Sequence, residues 1–393
     1  MPELLDGAGL TRFDEVAASH VGDDRVPGLV ALVARGEQVH VAALGSLGIG
    51  RAAVQRDSLF RIASTTKPLT AAAALALVGE GLLDLDEPVD ELLPELAAPR
   101  VLRRPDGPLD DTVPAQRPIT LRDLLTFTFG FGMAAEMFMA PTPWPVVVAE
   151  DNLNLCTLGP PDPARQPDAD TWMAALGSLP LLTQPGERWL YNTGASVTGV
   201  LVARAAGVPY EEVLRTRILE PLGMSDTGLW SAETDRLATA YRPSGDGLEV
   251  WDRPDGAWSA PPAFGDGACG LVSTVDDLLA FARLLLAGGA PLLRADLVRQ
   301  MTSDQLTAAQ KGGGSQAILD ERSWGFCQAV VTEGPRAGAF GWDGGLGTSW
   351  LLDPAQDLTV IVLTQRMFDS PLLPPVHVEL QAAAYAALGT LVR

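Results

Sequence analysis

Histidine is almost missing from this chain: only His20, His40 and His377 occur, two near the ends and one in an early apolar stretch. None stands beside a serine in a recognisable motif. A Ser-His-Asp hydrolase loses ground but is not excluded, because its partners need not be neighbours in sequence. Metal centres built on several histidines are disfavoured for the same reason. Cysteine is as scarce, with Cys156, Cys269 and Cys327 far apart, odd in number and without a CxxC pair. That pattern suggests neither a disulfide framework nor a zinc knuckle. Positive charge is also short: 28 Lys and Arg face 49 Asp and Glu, for a net charge of -21. Such a field repels phosphate backbones and anionic membrane surfaces, so neither nucleic acid nor a membrane is an expected partner. The opening "MPELLDGAGLTRFDEVAASH" lacks the basic-then-apolar order of a signal peptide, and no apolar run is long enough to span a bilayer. The expected location is the cytoplasm.

What is present is a chain of 393 residues, 47% apolar, with 40 Gly and 31 Pro. That length fits one large or two medium domains with a sizeable core and many loops. Residues 10–20 read as a helix and "GLVALVARGEQVHVAALG" as two strands around Gly36, with imperfect alternation. A helix from near Ser64 to about Glu80 ends at Gly81, a C-cap candidate. Residues 88–118 read as loop, and "TLRDLLTFTFG" as a short helix capped by Thr120. Residues 131–170 mix Met, Trp, Pro and Asp, and read either as a covering loop or as a wall of a substrate pocket. Further helices are expected in "DADTWMAALGSLP", "TGASVTGVLVARAAG", "YEEVLRTRILEPLGM" and "STVDDLLAFARLLLAGG". "ERSWGFCQAVVTEG", "GAFGWDGGLGTSWLLDP" and "LTVIVLTQRM" then read as three successive strands, followed by a last helix at about 374–388. The expected organisation is an α/β domain from residues 1–85 and 235–393, and a mostly helical domain with long loops from 86–234.

In "RIASTTKPLTAAAALALVGEG", Ser64 precedes Lys67 by three residues at a helix start. There the hydroxyl lies near unsatisfied N–H groups and the positive end of the helix dipole, which stabilise negative charge. Lys67 returns to about the same face. If burial lowers its pKa, the amine can accept the serine proton. The plain alternative is an N-cap serine with an exposed first-turn lysine, and SxxK pairs occur by chance.

The surroundings go further. "FRIASTTKPLTAAAALALVGEGLLDLDEPVDELLP" resembles the nucleophile region of the serine β-lactamase and penicillin-binding protein superfamily, most of all class C β-lactamases and family VIII carboxylesterases. The resemblance continues through "PITLRDLLTFTFG", where Phe127 and Phe129 replace a usual histidine and serine. It then runs through "QPGERWLYNTGASVTGVLVARAAG", "ILEPLGMSDTG", "GACGLVSTVDDLLAFARLLLAGG" and "GWDGGLGT", in order over most of the chain. It implies an α/β (α+β) fold with a central antiparallel sheet flanked by helices and a mostly helical lobe.

The resemblance also implies a site. Ser64 is the nucleophile, and Lys67 and Tyr191 relay its proton. The backbone N–H groups of Ser64 and Gly345 form the oxyanion hole. Tyr191 heads the family's Tyr-x-Asn triplet, but here Thr193 stands at the asparagine position and Asn192 one place early. The Lys-Thr-Gly or His-x-Gly element becomes Trp342-Asp343-Gly344, so the cation that would meet a carboxylate is missing. Asn192, Thr193, Trp342, Asp343 and Gly344 are the expected substrate contacts. The reaction implied is cleavage of a neutral small-molecule ester or amide through an acyl-enzyme on Ser64, with no metal or cofactor required. A homo-oligomer is compatible with this reading.

An acyltransferase or amide hydrolase on the same scaffold shares this chemistry. A β-lactamase or D-amino-peptidase is opposed by Thr193, Trp342 and the missing export signal. A non-enzymatic binding protein is opposed by intact Ser64, Lys67 and Tyr191. "GASVTG" is not a GxSxG elbow, "KGGGS" at 311–315 is not a phosphate loop, and "DLDEPVDELLPE" lacks calcium-loop spacing.

Overall fold

The computed structural model describes residues 5–245, 247–312, 315–320 and 322–388. Parts of the N-terminal opening and of the 311–315 glycine stretch lie outside them. Among the described residues, seven strands form one antiparallel sheet. Its strands are β1 (Gly28–Arg35), β2 (Gln38–Gly45), β3 (Ser323–Trp324), β4 (Ala329–Val330), β5 (Phe340–Gly344), β6 (Thr348–Asp353) and β7 (Leu358–Thr364). The spatial order is β2-β1-β7-β6-β5-β4-β3. The early strands thus pair directly with the late ones, with Leu29 opposite Thr364 and Arg35 opposite Leu358.

The imperfect alternation in β1 has a structural cause: both faces of the strand are covered. Val30, Leu32 and Ala34 enter the large core, while Leu29, Ala31 and Val33 enter a second core on the other face. The second core is closed by α1 (Gly7–His20), through Phe13, Val16 and Ala17, together with a helix at Pro375–Ala386. A strand buried on both faces needs apolar residues at every position, so a period of two fades.

On the large-core face lies α2 (Thr66–Glu80), ended by Gly81 in the left-handed conformation at φ 76°. Its Ala-rich run lets it sit in the middle of the protein, with Leu69, Leu75 and Leu77 fully buried. Truncating any of these leucines to alanine should cost about 2–5 kcal/mol. The helix α3 (Thr193–Ala206) packs beside it and is buried from Thr193 to Val202. The helix α4 (Val275–Leu286) is capped by Thr274, whose side chain accepts from Asp277 N. Thr120 caps Leu121–Leu125 in a full capping box with Asp123.

Two expectations change. Residues 88–118 are not all loop, because Arg100–Leu102 and Thr112–Pro114 pair as a small ribbon. The three expected late strands are five. The first breaks at Phe326 and Cys327, whose N–H groups bond to Met301 O and Leu125 O instead of to a neighbouring strand. Cys327 takes φ 57° there. The second breaks at the turn Gly345–Gly347 and becomes the hairpin β5–β6.

Candidate active site

Ser64 lies in a single 3₁₀ turn, Ala63–Thr65, immediately ahead of α2. It is not the N-cap of that helix, since Thr65 takes that place without a side-chain bond. Ala63 is held at φ 43°, an uncommon conformation for a residue with a Cβ. Such strain costs about 1–3 kcal/mol and persists where the surroundings impose it. The surroundings here are Ile62 N bonded to Leu271 O, and Thr348 Oγ1 bonded to Ile62 O at 2.9 Å.

Lys67 is fully buried. Its Nζ donates to Ser64 Oγ at 2.7 Å and to Ala268 O at 3.0 Å, and approaches Cys269 Sγ at 3.6 Å. The same Nζ lies 4.8 Å from the centroid of the Tyr191 ring. Tyr191 Oη accepts from Trp342 Nε1 at 2.7 Å, and Ser64 and Tyr191 line one cavity. The structure thus brings the sequence-expected trio together.

Tyr191 is aimed by its backbone. Tyr191 N bonds to Met133 O at 2.9 Å and Met133 N to Tyr191 O at 2.8 Å. Gly132 makes that approach feasible: at φ 149°, a Cβ there would stand 2.6 Å from Tyr191 O. The ring is then boxed by Phe127, Trp189, Trp324 and Trp342, with centroid separations of 5.9, 5.7, 6.2 and 5.5 Å. Phe127, at the position of a usual family histidine, is thus one wall of this box.

Burial drives the Lys67 pKa down, but the thiol of Cys269, the phenol of Tyr191 and the carboxyl of Asp266 outweigh it and hold it above the ordinary lysine value. For Tyr191, burial wins over the attraction of Lys67, and its pKa is raised. For Lys67 this is the opposite of what burial alone would give, because acidic neighbours enclose the amine. At neutral pH the pair rests as ammonium and phenol.

The trio opens on a cavity of about 350 Å³. Ser64, Tyr191, Asn192, Trp342, Asp343 and Gly345 line it. Met133, Phe138, Pro160 and Pro161 also line it, so the 131–170 segment does form a wall. A Cβ on Gly345 would meet nothing within 4 Å, so that backbone borders free space. Two expected contacts are not in the lining. Thr193 is fully buried at the start of α3 and bonds Thr157 Oγ1 at 3.1 Å. Gly344 packs against Ile62 and Thr348, where a Cβ would meet Ile62 O and Thr348 Oγ1 at 2.2 Å. Asn192, at φ 84°, has its Nδ2 bonded to Thr157 O at 2.8 Å and its Oδ1 near Cys269 Sγ at 3.7 Å.

The charged residues of the lining are answered locally. Arg322 Nη1 donates to Asp343 Oδ2 at 3.0 Å, with the guanidinium 4.9 Å over the Trp342 ring. Asp369 is paired with Arg366 at 2.9 Å. His377 contacts Ser349 at 2.8 Å, but both are buried outside the lining. Burial and then His20 push the His377 pKa down to about 3, so it stays neutral. Among the described residues, no cluster of three or more His, Cys, Asp or Glu could hold a metal ion. No described helix is long and apolar enough to cross a membrane.

Sequence reasoning missed Cys269 and Asp266. Both stand in "FGDGACG". Cys269 Sγ is 3.6 Å from Ser64 Oγ across 205 residues of chain, a proximity that no local pattern encodes.

Residues 13–383 match the family model described as Beta-lactamase, and the chain belongs to that family. Protein Rv1367c of Mycobacterium tuberculosis is 38% identical over 333 residues, covering 80% of this chain and 79% of that one. Esterase EstB of Burkholderia gladioli is 32% identical over 411 residues, 97% of each chain. Among solved structures, EstCE1, a hydrolase with promiscuous acyltransferase activity, superposes with a TM-score of 0.81 at 24% identity, over 96% of this chain and 99% of that one.

Proposed function

We propose that this protein is a serine esterase that cleaves small neutral esters through an acyl-enzyme on Ser64. The observation that carries the reading is the 2.7 Å bond from buried Lys67 Nζ to Ser64 Oγ beneath Tyr191, at the floor of a cavity. An SxxK pair serving only as a helix cap would have no reason to bury an ammonium there, because an unpaired buried charge is costly. The esterase name of the relative matched over nearly the full length supports the same reading.

In this mechanism Ser64 Oγ attacks the ester carbonyl carbon and its proton passes to the Lys67–Tyr191 pair. The resting pair carries one proton too many to act as a base, so the competent form is the one that has lost it. The carbonyl oxygen, now an oxyanion, lies between the N–H of Ser64 and that of Gly345. Ser64 is in the first turn, where N–H groups have no helical acceptor. Collapse of the tetrahedral intermediate breaks the ester C–O bond, and Tyr191 delivers the proton to the leaving alkoxide. Water, deprotonated by the same pair, then releases the acid.

The neutral class of substrate is supported by the charges of the lining, where Arg322 is matched by Asp343. Penicillin-type recognition is opposed by the arrangement of Asn192, whose amide is already bonded to Thr157 O. A cytoplasmic location is part of this reading; three free cysteines suit a reducing compartment. Acyl transfer to an alcohol is the second reading, favoured by the apolar walls Met133, Phe138, Pro160 and Pro161, which would discourage water. The test is a panel of neutral esters, amides and penicillins, with and without alcohol acceptors. Acid release independent of acceptor supports the esterase. Product that forms only with an acceptor supports transfer, and turnover of penicillins above esters overturns both.

A further inference from the structure

One buried acid near the site has no cation in contact. Asp266 is 5% exposed and, among the described residues, forms no direct ion pair, whereas buried Asp123 is held by Arg117 at 2.6 Å and Arg61 grips Asp252. Its Oδ1 instead accepts from Ser196 Oγ at 2.7 Å and from Ala268 N at 2.9 Å. Ser196 is in the first turn of α3, close in sequence to Tyr191. Ala268 is the residue whose carbonyl receives Lys67 Nζ. The strip between them is tightly seated: Gly267 O accepts from Thr70 Oγ1 at 2.6 Å, and a Cβ on Gly267 would stand 2.6 Å from Ala195 O. Burial pushes the Asp266 pKa up, and the bonds from Ser196 and Ala268 N together with the field of Lys67 are what favour its charged form. The cation whose field reaches it is Lys67.

We propose that Asp266 is a positioning residue of this site, a buried counter-charge that fixes the Ala268–Cys269 strip and holds Lys67 as an ammonium against Ser64. The inference rests on the esterase reading and deepens it. Two effects reach Lys67 through one side chain: the Ala268 N bond orients the carbonyl that accepts from Nζ, and the negative charge favours the ammonium. The groups that face Lys67 are Ser64 from the 3₁₀ turn, Tyr191 from the start of α3, and Ala268, Cys269 and Asp266 from the strip. Cys327 feels the ammonium more weakly. Tyr210 and Thr70 lie behind Asp266 and bond each other at 2.7 Å. Of these groups, Asp266 is the carboxylate, so its removal acts on Lys67 with one sign.

The chain makes the test direct, because its only lysines are Lys67 and Lys311. Lys311 is paired with Asp304 at the surface, and K311R assigns its signal. Protein labelled with 13Cε-lysine then reports the titration of Lys67 by NMR. In the wild type the Lys67 signal should remain that of an ammonium through neutral pH. In D266N, which keeps an acceptor for Ser196 and Ala268 N, it should lose its proton at least one pH unit earlier. The rising limb of kcat/KM against pH should move to lower pH by the same interval, while kcat at the plateau falls. S196A removes one bond and keeps the charge, so its limb should stay in place. An unmoved Lys67 titration in D266N, or an equal shift in S196A, would overturn the proposal. If D266N does not fold, an amine signal for Lys67 in the neutral wild type overturns it just as directly. Fluorophosphonate labelling with peptide mapping is run alongside. A wild type without an adduct on Ser64 defeats the esterase reading itself, separately from Asp266.

Discussion

Trp342 Nε1 donates to Tyr191 Oη at 2.7 Å, so the tryptophan that stands at the place of the family's cation is joined to the proposed proton relay. From the sequence it is an expected substrate contact. In the fold its one donor is committed to the phenol oxygen, and its ring packs on Trp324 at 4.6 Å. A donor at that oxygen favours the phenolate.

W342F keeps most of the ring and removes the N–H. A hydrogen bond to a charged group contributes about 1.5–3 kcal/mol, so kcat should fall roughly 10- to 100-fold. The phenolate loses support, so the rising limb of the pH profile should move to higher pH, opposite in sign to D266N. Steady-state kinetics from neutral to alkaline pH measure both. An unchanged limb would mean that the bond forms only in the resting enzyme.

S64A should fold as the wild type does and bind substrate, yet form no acyl-enzyme. Intact-mass spectrometry after mixing with a slow ester shows the adduct in the wild type. Turnover by S64A within tenfold of wild type would remove Ser64 from the nucleophile role.

Lys67 and Tyr191 share one proton, so their losses should not add. K67A and Y191F should each cost roughly 10²-fold or more, the scale of a lost general base. The double variant should cost little beyond the worse single one. The sign of the pH dependence follows from the raised pKa values of both groups. The base form accumulates only above them, so kcat/KM should climb through the alkaline range. A plateau already reached at pH 6 would contradict that ordering.

The lining's cation, Arg322, is bonded to Asp343 Oδ2 at 3.0 Å. The wild type should therefore prefer a methyl-capped ester to its carboxylate-bearing twin. D343N leaves Arg322 unmatched and should raise the relative kcat/KM for the carboxylate twin by about tenfold, the effect of one charge-assisted bond of about 1.5–3 kcal/mol. Competition assays with the two esters in one tube give the ratio directly. A wild-type ratio above one for the carboxylate would overturn the neutral assignment.

Local features were the legible ones. Ser64 and Lys67 declare themselves at three residues' spacing, Gly81 ends α2 by its positive φ, and Thr120 and Thr274 cap their helices through their own side chains. Tyr191 could be picked out because the residues around it follow a family pattern. What escaped depends on distant backbone. Phe326 and Cys327 break a strand because their N–H groups go to Met301 and Leu125. Thr193 was placed by alignment, and the helix then turned it inward. The direction of the lysine's pKa was not legible, because Asp266 and Cys269 arrive from about 200 positions downstream, and burial without them would have the opposite sign.

The pairing of β1 with β7 has a consequence for the life of the molecule before it is an enzyme. Ser64 and Lys67 leave the ribosome well ahead of Trp342, Gly345 and the strand opposite β1. The N-terminal strands must wait, unpaired on one edge, for more than 300 residues of synthesis. Contacts of such long range are slow to form, and waiting edges invite other chains. A nascent chain halted before Trp342 carries a serine and a lysine but lacks both Gly345 and the donor for Tyr191. Hydrolysis of a fluorogenic ester on stalled ribosomes would therefore mark the moment the last strand closes, and a polypeptide that stops short stays chemically silent.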